Sequence, residues 1–97
     1  ADQVDFYNGL EGYYSVLGHN KKQEAIAVLI EKNDHKIYVY QLDKGISQDK
    51  AATISREKGA SDIDKVTFGR YQDKPIWEVK SGNHYYLIDF ETGAVIQ

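Results

Sequence analysis

Apolar and polar residues alternate along most of the chain, which is the pattern of β-strands. In residues 12–17, for example, Tyr13 and Leu17 fall on one face, and Tyr14 and Val16 fall on the other. Alternation of this kind predicts strands at residues 4–7, 12–17, 24–32, 36–42, 63–71, 76–80, 84–90 and 94–96. Short polar turns join most neighbouring segments, so paired strands are predicted to run antiparallel.

The segment 24–32 differs from the other strands because both of its faces are apolar. Its residues divide into Ile26, Val28 and Ile30 on one face and Ala25, Ala27 and Leu29 on the other. A strand of this kind is typically central and covered on both sides. We therefore expect the two halves of the chain to share a buried interface, or a neighbouring chain to cover one face.

One segment has helical rather than alternating spacing. Ala51 and Ile54 lie on one helical face. Ser47 is a good N-cap because its hydroxyl can accept an orphan backbone N–H, and Gly59 suits the residue after the helix. One helix at about 47–58, packed on a sheet, is predicted.

The two halves of the chain are weak copies of each other. The matched pairs are Phe6 with Phe68, Tyr14-Ser15-Val16 with Trp77-Glu78-Val79, and Leu29-Ile30-Glu31 with Leu87-Ile88-Asp89. The second copy begins with a helix, and the first has none in view. The predicted fold is therefore α+β, with an N-terminal lobe at 1–43 whose helix is absent or truncated and a second lobe at 44–97. We expect the missing helix to lie upstream of Ala1.

Composition excludes several classes of function. The 97 residues are 41% hydrophobic and 28% charged, as in globular proteins. A net charge of −3, with scattered Lys and Arg, argues against nucleic acid or an anionic membrane surface as a partner. There is no Cys for disulfides or thiolate metal sites, and no run approaches the roughly 20 apolar residues of a membrane span. The absence of Met indicates a processed product or a fragment, so any membrane anchor is expected to lie upstream.

Residues capable of acid–base or metal chemistry do not form a recognisable pattern. They are the three histidines His19, His35 and His84, which lie in or beside turns, and the acid pairs Asp62/Asp64 and Asp89/Glu91. Asp89 is predicted to accept backbone N–H groups of the turn that follows it. We therefore predict no catalytic residue, no metal and no cofactor.

Tyrosines supply the candidates for partner binding. Adjacent residues of a strand point to opposite faces, so one tyrosine of each adjacent pair looks outward unless a second layer covers it. Exposed tyrosine offers a large contact area at low entropic cost. The candidate partner-binding residues are Tyr13, Tyr38, Tyr40 and Tyr85.

The second half resembles a PepSY-type domain. The resemblance rests on Ile46-Ser47 with Asp49, Ala51, Ala52 and Ile54, then on Trp77-Glu78-Val79, Tyr86-Leu87-Ile88-Asp89 and Thr92-Gly93. The helix start Gly45-Ile46-Ser47-x-Asp49-Lys50-Ala51-Ala52 is similar to that of the YpmB/TseB-like proteins of Gram-positive bacteria, in which a non-catalytic half precedes the PepSY half.

The resemblance implies a cystatin-like fold in two tandem lobes. It also implies a non-catalytic protein outside the cytoplasmic membrane, held there by an N-terminal helix absent from this chain. Its expected role is to regulate cell-wall elongation by binding a penicillin-binding transpeptidase. The alternative function is that of a PepSY-type peptidase inhibitor or protease propeptide-like module. Whether the chain also forms a homodimer stays open at this point.

Overall fold

The computed structural model describes residues 3–8 and 12–96, in which seven strands form two antiparallel sheets. The first sheet contains, in spatial order, β1 (Gln3–Asn8), β2 (Gly12–His19), β3 (Ala25–Glu31) and β4 (Ile37–Gln41). A 3₁₀ helix (Leu42–Lys44) and the α-helix α1 (Gln48–Glu57) follow. The second sheet contains β5 (Lys65–Tyr71), β6 (Lys74–Ser81) and β7 (His84–Asp89). The predicted α+β class is confirmed.

Side chains and glycine geometry fix both ends of α1 as the sequence predicts. The Ser47 hydroxyl accepts the backbone N–H of Lys50 at 3.0 Å, which satisfies one of the orphan donors of the first turn. Gly59 has φ of +110°, a conformation that side-chain-bearing residues rarely adopt. The N–H of Ala60 then donates to the Ser55 carbonyl at 3.0 Å, closing the helix in a Schellman motif.

The internal repeat is visible in the backbone register of the two sheets. In the second sheet, Phe68 of β5, Trp77 of β6 and Ile88 of β7 lie opposite one another. In the first sheet, the matching positions Phe6, Tyr14 and Ile30 lie opposite one another in the same way. The weak sequence repeat therefore corresponds to two hairpin pairs of the same register.

Both sheets and α1 contribute to one hydrophobic core. Its buried members are Tyr13, Ala27, Leu29, Ala51, Phe68, Ile76, Trp77, Val79, Leu87, Ile88 and Phe90. The Phe68 ring meets those of Trp77 and Phe90 edge-on, at centroid distances of 4.9 and 5.1 Å. The Trp77 indole N–H donates to the Ile46 carbonyl at 3.0 Å, so burial leaves no polar group of this ring unpaired. The expected shared interface between the two halves is confirmed.

Two expectations are met only in part. β3 is central, and its Ala27 and Leu29 are buried, but the opposite face with Val28 is only half-buried by the described residues. The described residues therefore bury one face and cover the other only in part, and its further cover stays a prediction. The strand predicted at 94–96 is reduced to a single bridge between Val95 and Ile88. Within residues 3–8 and 12–96, no helix has the length and apolarity needed to cross a membrane.

Candidate functional site

Three of the four candidate tyrosines converge on Arg70, at the junction of the two sheets. Arg70 projects from β5, whereas Tyr13 belongs to β2 and Tyr38 and Tyr40 belong to β4. The Arg70 Nε donates to the Tyr40 hydroxyl at 2.9 Å, and its guanidinium carbon lies 3.9 Å from the centre of the Tyr38 ring. The Tyr13 and Tyr38 rings meet edge-on at 6.3 Å. We call these four residues the arginine–tyrosine cluster.

The electrostatics of the cluster keep Arg70 charged. Burial lowers the pKa of Arg70, but hydrogen bonds to the hydroxyls of Tyr13 and Tyr40 favour the charged form, and the net effect is a raised pKa. A carboxylate oxygen of Asp73 lies 3.6 Å from the guanidinium. The donors and the ring-facing side of Arg70 are thus directed at groups of the same chain. The cluster joins the two sheets and is not arranged as an open anion-binding site.

The four candidate tyrosines therefore differ in how a partner could reach them. Tyr13 is only 1% exposed, so its burial does not support a role in surface contact. Tyr38 and Tyr40 are half-buried within the cluster. Tyr85 on β7 is 55% exposed and lies opposite Lys80 of β6. Of the four, Tyr85 is the side chain most accessible to a partner.

The acidic candidates have structural partners. One carboxylate oxygen of Asp89 accepts the N–H groups of Glu91 and Thr92 at 2.8 and 3.0 Å, as predicted for a turn-capping residue. The Asp64 carboxylate, just before β5, accepts the N–H of Gly82 in the turn between β6 and β7 at 2.9 Å. These hydrogen bonds give one member of each acid pair a structural role, with no need for acid–base catalysis.

A metal centre finds no support in the described residues. Among them, no group of three or more His, Asp or Glu side chains is placed to hold a metal ion. His19, His35 and His84 are all exposed. Burial raises the pKa of Glu78, which Lys65 partly offsets. Glu78 belongs to no group of metal-ligating side chains among the described residues.

The first sheet carries an apolar surface on the side away from the core, where the sequence interpretation expected cover. We call it the outer face, and its described members are Tyr14, Val16, Ile26, Val28, Ile30, Ile37 and Val39. Ile37, Val39 and Tyr14 are 64%, 59% and 46% exposed. Alternation had already separated these residues from their strand neighbours, but alternation does not tell which of two apolar faces points inward.

The register indicates what kind of surface the outer face is. Its row through Tyr14 and Ile30 corresponds to the row through Trp77 and Ile88 in the second sheet. The Trp77 side of that sheet contacts the segment leading into α1, because the Trp77 indole N–H donates to the Ile46 carbonyl. In the register of the repeat, the outer face is therefore the equivalent of the face that this segment contacts. The expected helix upstream of Ala1 stays a prediction.

Known proteins resemble this chain along its whole length. Residues 1–31 match the family model described as a cell wall elongation regulator TseB-like domain. A solved structure, the YpmB protein from Bacillus subtilis, has 34% sequence identity and a TM-score of 0.82, and the match covers 99% of this chain and 80% of that one. This chain belongs to the YpmB/TseB-like family.

A second relative carries a functional name. The probable cell wall elongation regulator TseB of Bacillus subtilis (strain 168) is 35% identical over 104 residues. That match covers all of this chain and 65% of the relative, so the chain spans slightly less than two thirds of TseB. The two antiparallel sheets and the single described α-helix agree with the match to the YpmB structure.

Proposed function

We propose that this chain is a non-catalytic, extracytoplasmic domain that regulates cell-wall elongation by binding a penicillin-binding transpeptidase. The observation that carries the proposal is the match of the entire chain to a relative named as a probable cell wall elongation regulator. In the complete protein, an N-terminal helix outside this sequence would hold the domain at the membrane.

The placement of polar side chains supports binding rather than catalysis. Serine and aspartate often act in catalysis, but here Ser47 caps α1 and Asp89 caps a turn. Tyr85 combines a large exposed ring with a position on β7. Tyrosine at such a position is favoured in protein interfaces because it buries much area with few rotatable bonds. We therefore place the partner contact on the surface around Tyr85.

Direct binding to purified transpeptidase domains of Bacillus subtilis penicillin-binding proteins tests the proposal. The 97-residue chain is immobilised, and the affinity of each domain is measured by biolayer interferometry. Tyr85→Lys is expected to weaken binding at least tenfold. Tyr14→Lys makes the same chemical change at a similarly exposed tyrosine of the outer face and is expected to leave the affinity within about twofold.

Other outcomes would redirect the proposal. Loss of binding in Tyr14→Lys alone would move the contact to the outer face. Absence of binding to every penicillin-binding domain, together with inhibition of purified cell-wall peptidases, would favour the inhibitor alternative. In cells, we expect that this chain, exchanged for the aligned segment of Bacillus subtilis TseB, preserves normal cell length. Cells that resemble a TseB deletion, despite normal protein levels, would contradict the regulatory role.

A further inference from the structure

The outer edge of β4 presents unpaired backbone groups in a regular pattern. Two hydrogen bonds fix this pattern: Lys32 N–H donates to the Gly12 carbonyl at 3.0 Å, and Glu31 N–H donates to the Lys36 carbonyl at 2.8 Å. Even-numbered residues of β3 therefore bond to β2, and odd-numbered residues bond to β4. On β4 itself, positions 36, 38 and 40 face β3. The N–H groups of Ile37, Val39 and Gln41 consequently point to the free edge.

Edge strands of soluble proteins are usually protected against pairing with other strands. The common devices are a lysine on the strand, a proline, a bulge or a covering segment. β4 has the sequence Ile-Tyr-Val-Tyr-Gln, without charge, proline or glycine, and its pairing with β3 is regular from Ile37 to Gln41. Within residues 3–8 and 12–96, no strand pairs with its outer edge. The edge thus has the features of a pairing surface.

We propose that β4 pairs antiparallel with β4 of a second copy of this chain, about a two-fold axis at Val39. This register places Val39 opposite Val39 and Ile37 opposite Gln41 of the second copy. Those are the residues whose N–H groups face the free edge, so the ladder uses the groups that β3 leaves unpaired. On the inner face, Tyr38 then lies opposite Tyr40 of the second copy, an aromatic pair of the kind that stabilises antiparallel strands.

Charge complementarity supports a second copy as the occupant. The strand is uncharged, so self-pairing brings no like charges into opposition. Antiparallel pairing places the Lys36 end of one strand beside the Asp43 end of the other. The arginine–tyrosine cluster also lowers the entropic cost of pairing. Arg70 already holds the side chains of Tyr38 and Tyr40 in place, so little side-chain freedom is lost when the strands pair. The inference does not depend on the proposed function.

The size of the interface sets the expected affinity. Each copy contributes a strand of 5 residues, against roughly 20–30 residues per partner in standard interfaces. The dimer is therefore weak, with a dissociation constant of about 0.1–1 mM. Sedimentation velocity of the 97-residue chain, from about 10 μM to about 1 mM, should show a reversible shift from monomer to dimer. A monomer across this whole range would overturn the inference.

Amide hydrogen exchange identifies the edge that pairs. Exchange at Ile37, Val39 and Gln41 should slow as the concentration rises. Exchange at Tyr38 and Tyr40 should change little, because their N–H groups already face β3. A dimer that forms without slower exchange at the three edge amides would assign the contact elsewhere and refute the β4 register.

Charge substitutions at the two-fold axis separate a loss of dimerisation from a loss of folding, because mixing two oppositely charged variants should restore the dimer. Val39→Lys and Val39→Glu each place like charges directly opposite one another, so each variant alone should lose about two- to fivefold in dimer affinity. An equimolar mixture should recover dimerisation, because opposite charges then meet at the axis. Thr53→Lys on the exposed side of α1 is the control and should dimerise like the wild type. Failure of the mixture to recover, with each variant folded by circular dichroism, would contradict an axis at Val39.

Discussion

The arginine–tyrosine cluster leads to a prediction about how the two sheets are held together. Arg70→Met removes the hydrogen bonds to the Tyr13 and Tyr40 hydroxyls and the contact with the Tyr38 ring but keeps an apolar stem of similar length. A hydrogen bond to a charged group contributes about 1.5–3 kcal/mol, and a partly desolvated cation–π contact adds about 1 kcal/mol. The methionine recovers part of this by apolar burial, so we expect a loss of about 2–3 kcal/mol in the free energy of unfolding.

Urea denaturation of a double-mutant cycle provides the measurement. Tyr40→Phe removes the acceptor of the Arg70 hydrogen bond and should cost about 1–2 kcal/mol. The double variant should cost about 1 kcal/mol less than the sum of the two single changes, because both remove the same interaction. Arg56→Met makes the same substitution at an exposed position of α1 and should change stability by less than about 0.5 kcal/mol.

Two results would refute this account of the cluster. One is additivity of the two substitutions to within about 0.5 kcal/mol, since separate sites behave in that way. The other is an equal cost for Arg70→Met and Arg56→Met, which would mean that the position between the sheets contributes nothing beyond an exposed arginine.

Three further predictions concern single positions. Ser47→Ala should lower the free energy of unfolding by about 1 kcal/mol, measured in urea, because it removes the helix cap. Gly45→Ala should cost about 1–3 kcal/mol or more, because the new Cβ would overlap the Phe90 carbonyl oxygen and lie 2.7 Å from two of its ring carbons. An unchanged free energy of unfolding in either variant would contradict the reason given for it. Burial raises the pKa of Glu78 in the folded state, so folding favours its protonated form. The stability that this carboxyl contributes is therefore fully present below its unfolded pKa and is lost as the pH rises through its folded pKa. Glu78→Gln should therefore raise the melting temperature at pH 7 more than at pH 3, and a pH-independent difference would exclude the ionisation of this carboxyl as the cause.

Local features of this fold were largely readable from the sequence. The helix was predicted at about 47–58 and lies at Gln48–Glu57, because capping by Ser47 and termination at Gly59 depend on neighbouring residues. The turn at Asp89 formed as predicted for the same reason. The bridge at Val95 falls short of the predicted strand, since a strand exists only where a partner pairs with its backbone.

The candidate site was less predictable because it depends on contacts distant in the sequence. Four tyrosines were chosen on alternation and residue type. The structure buries Tyr13, engages Tyr38 and Tyr40 with Arg70, and exposes Tyr85. Arg70 itself gave no signal, because a single arginine in a strand shows nothing of the tyrosines that reach it from another sheet.

The sequence by itself determined the elements of this protein and the family to which it belongs. Strand alternation, helix caps and turn residues are local, so the chain carries them wherever it folds. Only the tertiary structure decided which apolar face of the first sheet is buried and which edge of β4 is left open. The reason is that alternation separates two faces of a strand without naming the inner one. Ile37 and Val39 differ from Ala27 and Leu29 chiefly in what the rest of the fold places against them.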